Sequence, residues 1–196
     1  MALPTYDKTK RKQTFQQLPK GAYVVIIKNA KEVQNKNGSG THLEIAFDIA
    51  EGEYKGFYMD QFERSTSEDK KYSRDAYYYL NVPDDNSKPY IWSNWNTFFA
   101  DLEDSNNGFV FGGDPASLKG KLIGGLFHIE QTEYNGNIYD HTRMRYTRVA
   151  DAVREGKYGK LPADKLVSSS VSSQAPLGDP TDFMTVPDDG KEEVPW

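Results

Sequence analysis

The chain contains no cysteine, and that absence excludes whole classes of chemistry. Without a thiol there can be no disulfide framework, no thiolate metal site and no cysteine nucleophile. The only three histidines, His42, His128 and His141, do not form the pattern of a zinc protease. No glycine-rich loop has the spacing and following lysine of a phosphate-binding motif. The sequence therefore predicts no cofactor and no metal, and it argues against an enzyme.

Long hydrophobic runs are also absent. No apolar stretch approaches the ~20 residues that a membrane span needs. Residues 1–12 are polar and basic, unlike a signal peptide. We therefore expect a cytoplasmic protein without a membrane partner. Hydrophobic residues make up only 37% of the chain, which indicates that part of it is disordered and outside the core. Aromatic residues make up 13%, which indicates that the rest forms a folded body, since disordered chains contain few of them.

Excess charge of one sign is confined to the C-terminus. The whole chain carries a formal net charge of −5. Residues 167–196 contain six acids and one lysine, so residues 1–166 are neutral, with 23 basic and 23 acidic side chains. The body is therefore free to carry a basic face despite the acidic total.

Strand patterns dominate the body. Residues 23–28 are rich in β-branched side chains and predict a first strand. Residues 42–49 alternate between apolar and polar side chains and predict a second strand with one buried face. A third strand is expected over Phe57–Arg64, and either of its faces fits a core. Asn135-Gly136 predicts a hairpin between the last two strands, residues 121–134 and 138–149.

One helix is expected between the third and fourth strands. Ser93 fits an N-cap, an apolar stripe runs at helical spacing from residue 95 to residue 102, and Trp95 is expected in the core. A short helix is expected near residues 151–155. The order of strand, strand, strand, helix, strand, strand is that of the oligonucleotide-binding (OB) fold. We therefore predict a mainly β, five-stranded antiparallel barrel, closed on itself.

Composition divides the chain into three segments. Residues 1–18 are predicted to form a basic N-terminal arm, and residues 19–166 the OB-fold-like domain. Residues 167–196 are predicted to form a disordered serine-rich linker and acidic tail. The polar segment 65–91 contains Tyr77-Tyr78-Tyr79 and fits either a binding lid or the interface of a homo-oligomer, so the sequence leaves the oligomeric state open.

The end of the tail carries the most specific signal. A proline before a terminal tryptophan reduces the entropy lost on docking, and the ring and terminal carboxylate offer a partner protein an anchor. The alternative is a tail that only aids solubility. The predicted partner-binding residues are Asp188, Asp189, Glu192, Glu193, Val194, Pro195 and Trp196.

This tip resembles that of bacterial single-stranded-DNA-binding proteins, which end in acids, an aliphatic residue, proline and phenylalanine. Here Trp196 replaces the phenylalanine, and Gly190-Lys191 interrupts the acids. The resemblance implies that the tail binds replication, recombination and repair proteins.

The body, residues 18–166, resembles a family of small bacteriophage single-strand binders. That resemblance rests on four short stretches, which are Gly21-Ala22-Tyr23, Phe47-Asp48-Ile49, residues 51–56 and Arg154-Glu155-Gly156-Lys157. It implies a protein that acts on phage DNA in the host cytoplasm.

Aromatic residues interleaved with cations on a strand predict a site for single-stranded nucleic acid, since bases stack on rings while cations follow the phosphates. Tyr139, Arg143 and Arg145 share one face of the last strand, whereas Tyr146 shares the other face with Met144 and could be core. The alternative is an ordinary solvated face. The predicted DNA-binding residues are Lys28, Tyr58, Phe62, Arg64, Trp92, Lys121, Tyr139, Arg143, Arg145 and Arg148.

Together these features predict sequence-independent binding of single-stranded DNA in phage replication and recombination. No recognition helix or zinc motif indicates sequence readout. The anionic tail could compete with DNA for a cationic groove, in which case removal of residues 167–196 tightens DNA binding. The alternatives are a protein-interaction adaptor without nucleic-acid binding, and a nuclease or nuclease inhibitor.

Overall fold

The computed structural model describes residues 16–167 apart from residues 37, 39 and 68. None of the helices in this part of the chain is both long and apolar enough to cross a membrane. The described residues form five strands, Ala22–Gln34 (β1), Thr41–Ile49 (β2), Tyr77–Asn81 (β3), Leu122–Tyr134 (β4) and Asn137–Arg148 (β5), and three α-helices, Phe57–Arg64 (α1), Pro89–Ser105 (α2) and Ala150–Arg154 (α3).

All five strands pair antiparallel in one sheet, in the order β3-β2-β1-β4-β5. The prediction of a mainly β, five-stranded antiparallel body is confirmed. The prediction of a closed barrel is wrong, because no ladder of backbone hydrogen bonds joins β3 to β5 within the described residues. Side chains meet there instead: Asp75, just before β3, lies 3.2 Å from His141 and 3.5 Å from Arg143 of β5.

The first hairpin follows the sequence pattern. In β2 the alternating apolar side chains are all buried, as predicted; they are Leu43, Ile45, Phe47 and Ile49. β1 is longer than its apolar stretch, because its polar second half still pairs with β2, from Ala30 opposite Ile45 to Gln34 opposite Thr41. Pairing with a neighbouring strand therefore extends β1 beyond the residues that face the core.

The second hairpin is also confirmed. Asn135 and Gly136 connect β4 to β5 and have φ values of 51° and 73°. A two-residue hairpin turn of type I′ requires positive φ at both central residues, and asparagine and glycine tolerate this best. The ladder then runs without interruption from Tyr134 opposite Asn137 to Phe127 opposite Met144.

Residues 57–64 form a helix, so the predicted third strand is wrong. The Asp48 carboxylate, near the end of β2, accepts hydrogen bonds from the backbone N–H groups of Tyr58 (3.0 Å) and Met59 (3.2 Å). These groups lie in the first turn of α1, where N–H groups have no partner within a helix and the helix dipole favours a negative charge. Residues 57–64 fit the period of a strand and that of a helix equally, and Asp48, which lies outside this segment, decides in favour of the helix.

The third strand of the sheet is β3, which lies inside the segment that the sequence pattern leaves irregular. It pairs with β2 from Tyr77 opposite Ala46 to Asn81 opposite His42. Leu80 is buried, while Tyr79 is 52% exposed on the opposite face. Aromatic residues favour strands, so the three tyrosines already carried a signal for this element.

The helix α2 begins at Pro89, so Ser93 is not its N-cap. Lys88 holds that position, and proline fits the first turn because its missing N–H would have no helical partner there. The predicted apolar stripe is confirmed, since Phe98, Phe99 and Leu102 are buried. Trp95 packs half-buried against the same core.

The helix α3 lies unusually close to β4. A Cβ atom at Gly124 would lie 2.6 Å from Val153 Cγ2, so only a residue without a side chain permits this approach. The Arg154 guanidinium also donates two hydrogen bonds to Glu51, of 3.0 Å and 2.5 Å, in the turn after β2. Two of the stretches that carry the resemblance to phage single-strand binders are therefore in direct contact.

The core extends further toward the N-terminus than the predicted domain boundary. Leu18, assigned to the arm by composition, is 1% exposed within the core. The Thr142 hydroxyl of β5 donates to the Leu18 carbonyl and accepts a hydrogen bond of 3.1 Å from the Gln17 amide. Leu18 therefore belongs to the body, and residues 1–15 of the predicted arm lie outside the described residues.

Candidate functional site

A cavity of about 400 Å³ opens along the seam where β3 and β5 do not pair. We call it the β3–β5 groove. Its lining includes Tyr78 and Leu80 of β3 and Met144 of β5, of which Leu80 and Met144 are buried in the core. The cavity exists because the missing ladder leaves room between the two strands, so the same feature that opens the sheet creates the site.

The β3 side of the groove consists of tyrosine rings. Tyr77 and Tyr79, two residues apart on one face, have ring centroids 6.3 Å apart and nearly parallel planes, 20° from each other. Tyr78 stacks on Phe98 of α2 at 5.8 Å, and its burial raises the pKa of its hydroxyl to about 12. The inward ring therefore anchors β3 on α2, while the outward ring of Tyr79 is available to a ligand.

The first turn of α2 forms the rim of the groove. Tyr90, which is 59% exposed, lines the cavity together with Ile91 and Asn94. Pro89 starts the helix here, which places Tyr90 in its first turn. Trp92, a predicted DNA-binding residue in the same turn, is exposed but does not line the groove.

The β5 side of the groove contributes Arg143, Arg145 and Tyr146. In the ladder, Leu126 lies opposite Tyr146 and the next residue of β4, Phe127, lies opposite Met144, so Arg145 is an extra, unpaired residue. Such a β-bulge shifts the alternation by one residue. Tyr146 is consequently 47% exposed, and the prediction that it could belong to the core is wrong.

The cations of the groove differ in how far nearby acids neutralise them. Arg143 lies between two carboxylates, 3.5 Å from Asp75 and 3.4 Å from Glu130. Arg74 and Arg145, by contrast, form no ion pair with an acid among the described residues. Nearby acids therefore neutralise Arg143 and leave Arg145 uncompensated.

Glu130 is the acid within the lining of the groove. A hydrogen bond of 2.6 Å from the Lys165 ammonium, and then the charge of Arg143, lower the pKa of this carboxyl group. Glu130 therefore stays ionised at neutral pH and holds both cations in place. The arrangement fixes Arg143 in the wall and leaves Arg74 and Arg145 available to an anion.

The predicted residues of the supposed third strand lie away from the groove. Tyr58 is buried in the core, so its ring is not available for stacking. Phe62 packs on Tyr72, with ring centroids 6.1 Å apart, and Arg64 lies 3.7 Å from Asp60 on the surface of α1. Their assignment depended on a strand at residues 57–64, and it is lost with that strand.

The remaining predicted residues are also separated from the groove. Lys28 is half-buried in β1, and the Lys121 ammonium lies 4.5 Å from the centre of the Phe109 ring. Arg148 donates hydrogen bonds to the backbone carbonyls of Thr147 (2.8 Å) and Tyr158 (3.4 Å), which is a structural role. Tyr139 is exposed further along β5, opposite Thr132, beyond the cavity.

The groove thus retains two of the predicted residues, Arg143 and Arg145, and adds others that the sequence analysis did not assign to the site. Tyr79 and Tyr90 were missed because β3 and the start of α2 were not recognised. The tyrosine triplet and the Pro89 helix start were the signals available. Tyr146 was missed because no local pattern announces the bulge at Arg145.

The predicted partner-binding residues, 188–196, lie outside the described residues. Within residues 16–167, apart from the three omitted positions, no cluster of three or more histidine and acidic side chains could hold a metal ion.

No curated protein matches this chain. A family model described as a protein of unknown function, DUF669, matches residues 4–82. The matched region runs through β1, β2 and α1 to the end of β3, and it includes Arg74 and Tyr79 of the groove. It stops before α2, β4 and β5, so the chain resembles this family over the β3 side of the site.

Proposed function

We propose that this protein binds single-stranded DNA without sequence preference, with the strand lying in the β3–β5 groove. The observation that carries the proposal is the lining of this groove, which contains both exposed tyrosine rings and arginines. Tyr79, Tyr90 and Tyr146 are each about half exposed and line one cavity with Arg74 and Arg145.

The chemistry of the lining matches that of a flexible polyanion with exposed bases. An aromatic ring stacks on any base, and each stack contributes about 1–3 kcal/mol. An arginine without an acidic partner, such as Arg74 or Arg145, would attract phosphate, and this gain in affinity would fall with rising salt. Because rings contact base faces rather than base edges, this mode of binding discriminates little between sequences.

The geometry favours a single strand over a duplex. In a duplex the base faces are covered by their neighbours and cannot reach rings that line a cavity of about 400 Å³. No helix of the described body presents a cationic face suited to a major groove, since α1 and α3 each contain a single arginine and α2 contains no basic residue.

The strand order supports an OB-fold-like assignment. A five-stranded sheet in the order β3-β2-β1-β4-β5, with a helix between β3 and β4, has the order of that fold. The OB fold is a partly open barrel that binds oligonucleotides on its strands and neighbouring loops. The open seam between β3 and β5 would then be the opening of the barrel.

We further propose that the protein coats exposed strands during phage DNA replication, recombination or repair, and that its acidic tail recruits partner proteins. The support for the tail is its sequence, since the excess acids and the terminal Trp196 lie in residues 167–196. A neutral body with a local cationic groove is compatible with an acidic tail, because the two charges are segregated along the chain.

Fluorescence anisotropy of a labelled oligo-dT tests the proposal. Binding should weaken steeply with salt, and Tyr79→Ala should lower affinity about 5- to 150-fold, the equivalent of one lost base stack. Trp92→Ala is the matched control, since Trp92 is an exposed aromatic residue outside the groove. An intact protein that binds no oligo-dT would refute the proposal and favour an adaptor; shortening of the oligonucleotide with Mg²⁺ would indicate a nuclease.

A further inference from the structure

A second cavity adjoins the β3–β5 groove. Its volume is about 380 Å³, and four residues line both cavities: His128, Glu130, Arg145 and Tyr146. The second cavity is completed by Pro162, Ala163 and Lys165, which follow α3 and do not line the first. The two cavities are therefore neighbouring parts of one depression that meet at β4 and β5.

The bulge in β5 creates a ridge at the junction of the two cavities. In a regular strand Arg145 and Tyr146 would point to opposite faces. Because Arg145 is the extra residue of the bulge, both side chains are exposed and line both cavities. The guanidinium lies 5.6 Å from the centre of the Tyr146 ring, so a cation and a stacking surface are adjacent.

The outer wall of the second cavity is held firmly on the sheet. We call residues 162–167 the strap. β1 pairs with β4 only as far as Leu126, and further along β4 the strap pairs with it instead. Lys165 N–H donates to Ile129 O (2.9 Å), and Gln131 N–H donates to Lys165 O (2.8 Å). Asp164 accepts hydrogen bonds from the Ile129 N–H (3.0 Å) and the Lys20 ammonium (2.8 Å).

The charges around the second cavity favour an anion. Arg145 and Lys165 are cationic, and the one carboxylate in the lining, Glu130, already pairs with Lys165 at 2.6 Å and Arg143 at 3.4 Å. The Lys165 side chain is nevertheless 72% exposed, so its remaining donors face solvent. Both cavity volumes lie within the ~300–1,000 Å³ range of small-ligand sites, so each is large enough for a nucleobase with its sugar.

We propose that the strap cavity is a second nucleotide subsite, and that two consecutive nucleotides of a single strand lie on either side of the Arg145–Tyr146 ridge. One base occupies the β3–β5 groove, the next occupies the strap cavity against Tyr146 and Ala163, and Arg145 contacts the phosphate between them. This inference rests on the proposed function and adds to it a site formed by residues C-terminal to α3.

Filling the strap cavity alone tests the subsite. Ala163 is an exposed residue in its lining, so Ala163→Trp in the full chain should occupy the cavity while leaving the β3–β5 groove open. Ala100→Trp is the matched control, at an exposed position of α2 outside both cavities. Circular dichroism and thermal unfolding confirm that each variant is folded. Affinity is then measured for an oligo-dT length series and, by competition, for the mononucleotide dTMP, which can fill only one of the two subsites.

We expect Ala163→Trp to reduce affinity about 5- to 150-fold for every oligonucleotide that spans both subsites, while dTMP, which can still occupy the β3–β5 groove, loses much less. Equal affinities for Ala163→Trp and Ala100→Trp at every length would overturn the subsite and leave the proposed function intact. A loss for dTMP equal to the loss for the oligonucleotides would also overturn it, because the two cavities would then act as one site. Failure of the unmodified protein to bind any oligo-dT would overturn both proposals.

The phosphate contact is tested separately through salt dependence. Arg145→Gln removes the charge that we assign to the phosphate between the two nucleotides. The slope of log affinity against log salt should become shallower by about 0.7, the value for one phosphate contact on a single strand. Lys119→Gln, at an exposed position outside both cavities, should leave the slope unchanged. Identical slopes for the two variants would contradict the contact.

Discussion

Replacing Gly124 with alanine is expected to destabilise the body by about 1–3 kcal/mol, the range for an overpacked side chain. The added carbon would lie 2.6 Å from Val153 Cγ2, 2.8 Å from Arg148 O and 3.1 Å from Val149 O. The Val153 side chain can change its rotamer, but the two carbonyls belong to the backbone that enters α3. The helix must therefore move away from β4.

Thermal unfolding followed by circular dichroism measures this effect. A loss of 1 kcal/mol lowers the midpoint by about 2–4 °C in a domain of this size, so Gly124→Ala should lower it by about 2–12 °C. Gly112→Ala is the control, since an added Cβ there has no neighbour within 4 Å and Gly112 does not have a positive φ. Adding Val153→Ala should restore only part of the loss, because the carbonyl contacts remain. Equal midpoints for Gly124→Ala and Gly112→Ala would refute the close approach of α3 to β4.

Three further predictions concern the body. Leu18→Ala should lower the free energy of unfolding in urea by about 2–5 kcal/mol, because it empties a core position. Leu166→Ala, at a residue that is 62% exposed, is the control and should change it little. Equal losses would mean that Leu18 is not part of the core. Asp48→Asn should cost about 1–3 kcal/mol, because the buried carboxylate accepts hydrogen bonds through both of its oxygens at the start of α1 and an amide has only one acceptor oxygen. Asp60→Asn, at an exposed position, is the control and should cost little in the same urea assay. Comparable losses for the two variants would contradict the capping role of Asp48. The hydrogen bond from Arg154 lowers the pKa of Glu51, so the stability gained is present above the ordinary glutamate pKa and is lost as pH falls through the folded-state value. Glu51→Gln should therefore lower the unfolding midpoint slightly at pH 7, and the difference should shrink as pH falls below the ordinary glutamate pKa. A difference that does not shrink at low pH would argue against this pair.

Patterns within a short stretch of sequence predicted the elements that keep one repeating geometry, with one buried face, along their length. The alternation in residues 42–49, the Asn135-Gly136 turn and the apolar stripe of α2 each depend on a single repeating geometry. Arg143 could be placed at the groove for the same reason. The alternation also placed Arg145 there, but it did not reveal the bulge that Arg145 forms. Phe57–Arg64 fits a period of two and a period of nearly four, so no local rule separates strand from helix there.

From sequence alone it was determined that this chain has a mainly β body, a helix between its third and fourth strands, and an acid-rich segment from residue 167 onward. Tertiary structure decided the rest. The Asp48 carboxylate makes residues 57–64 a helix, the bulge at Arg145 turns Tyr146 outward, and an unpaired seam between β3 and β5 opens the groove. These features arise from contacts between residues that are adjacent in space and separated along the chain, and such contacts leave no periodic trace in the sequence.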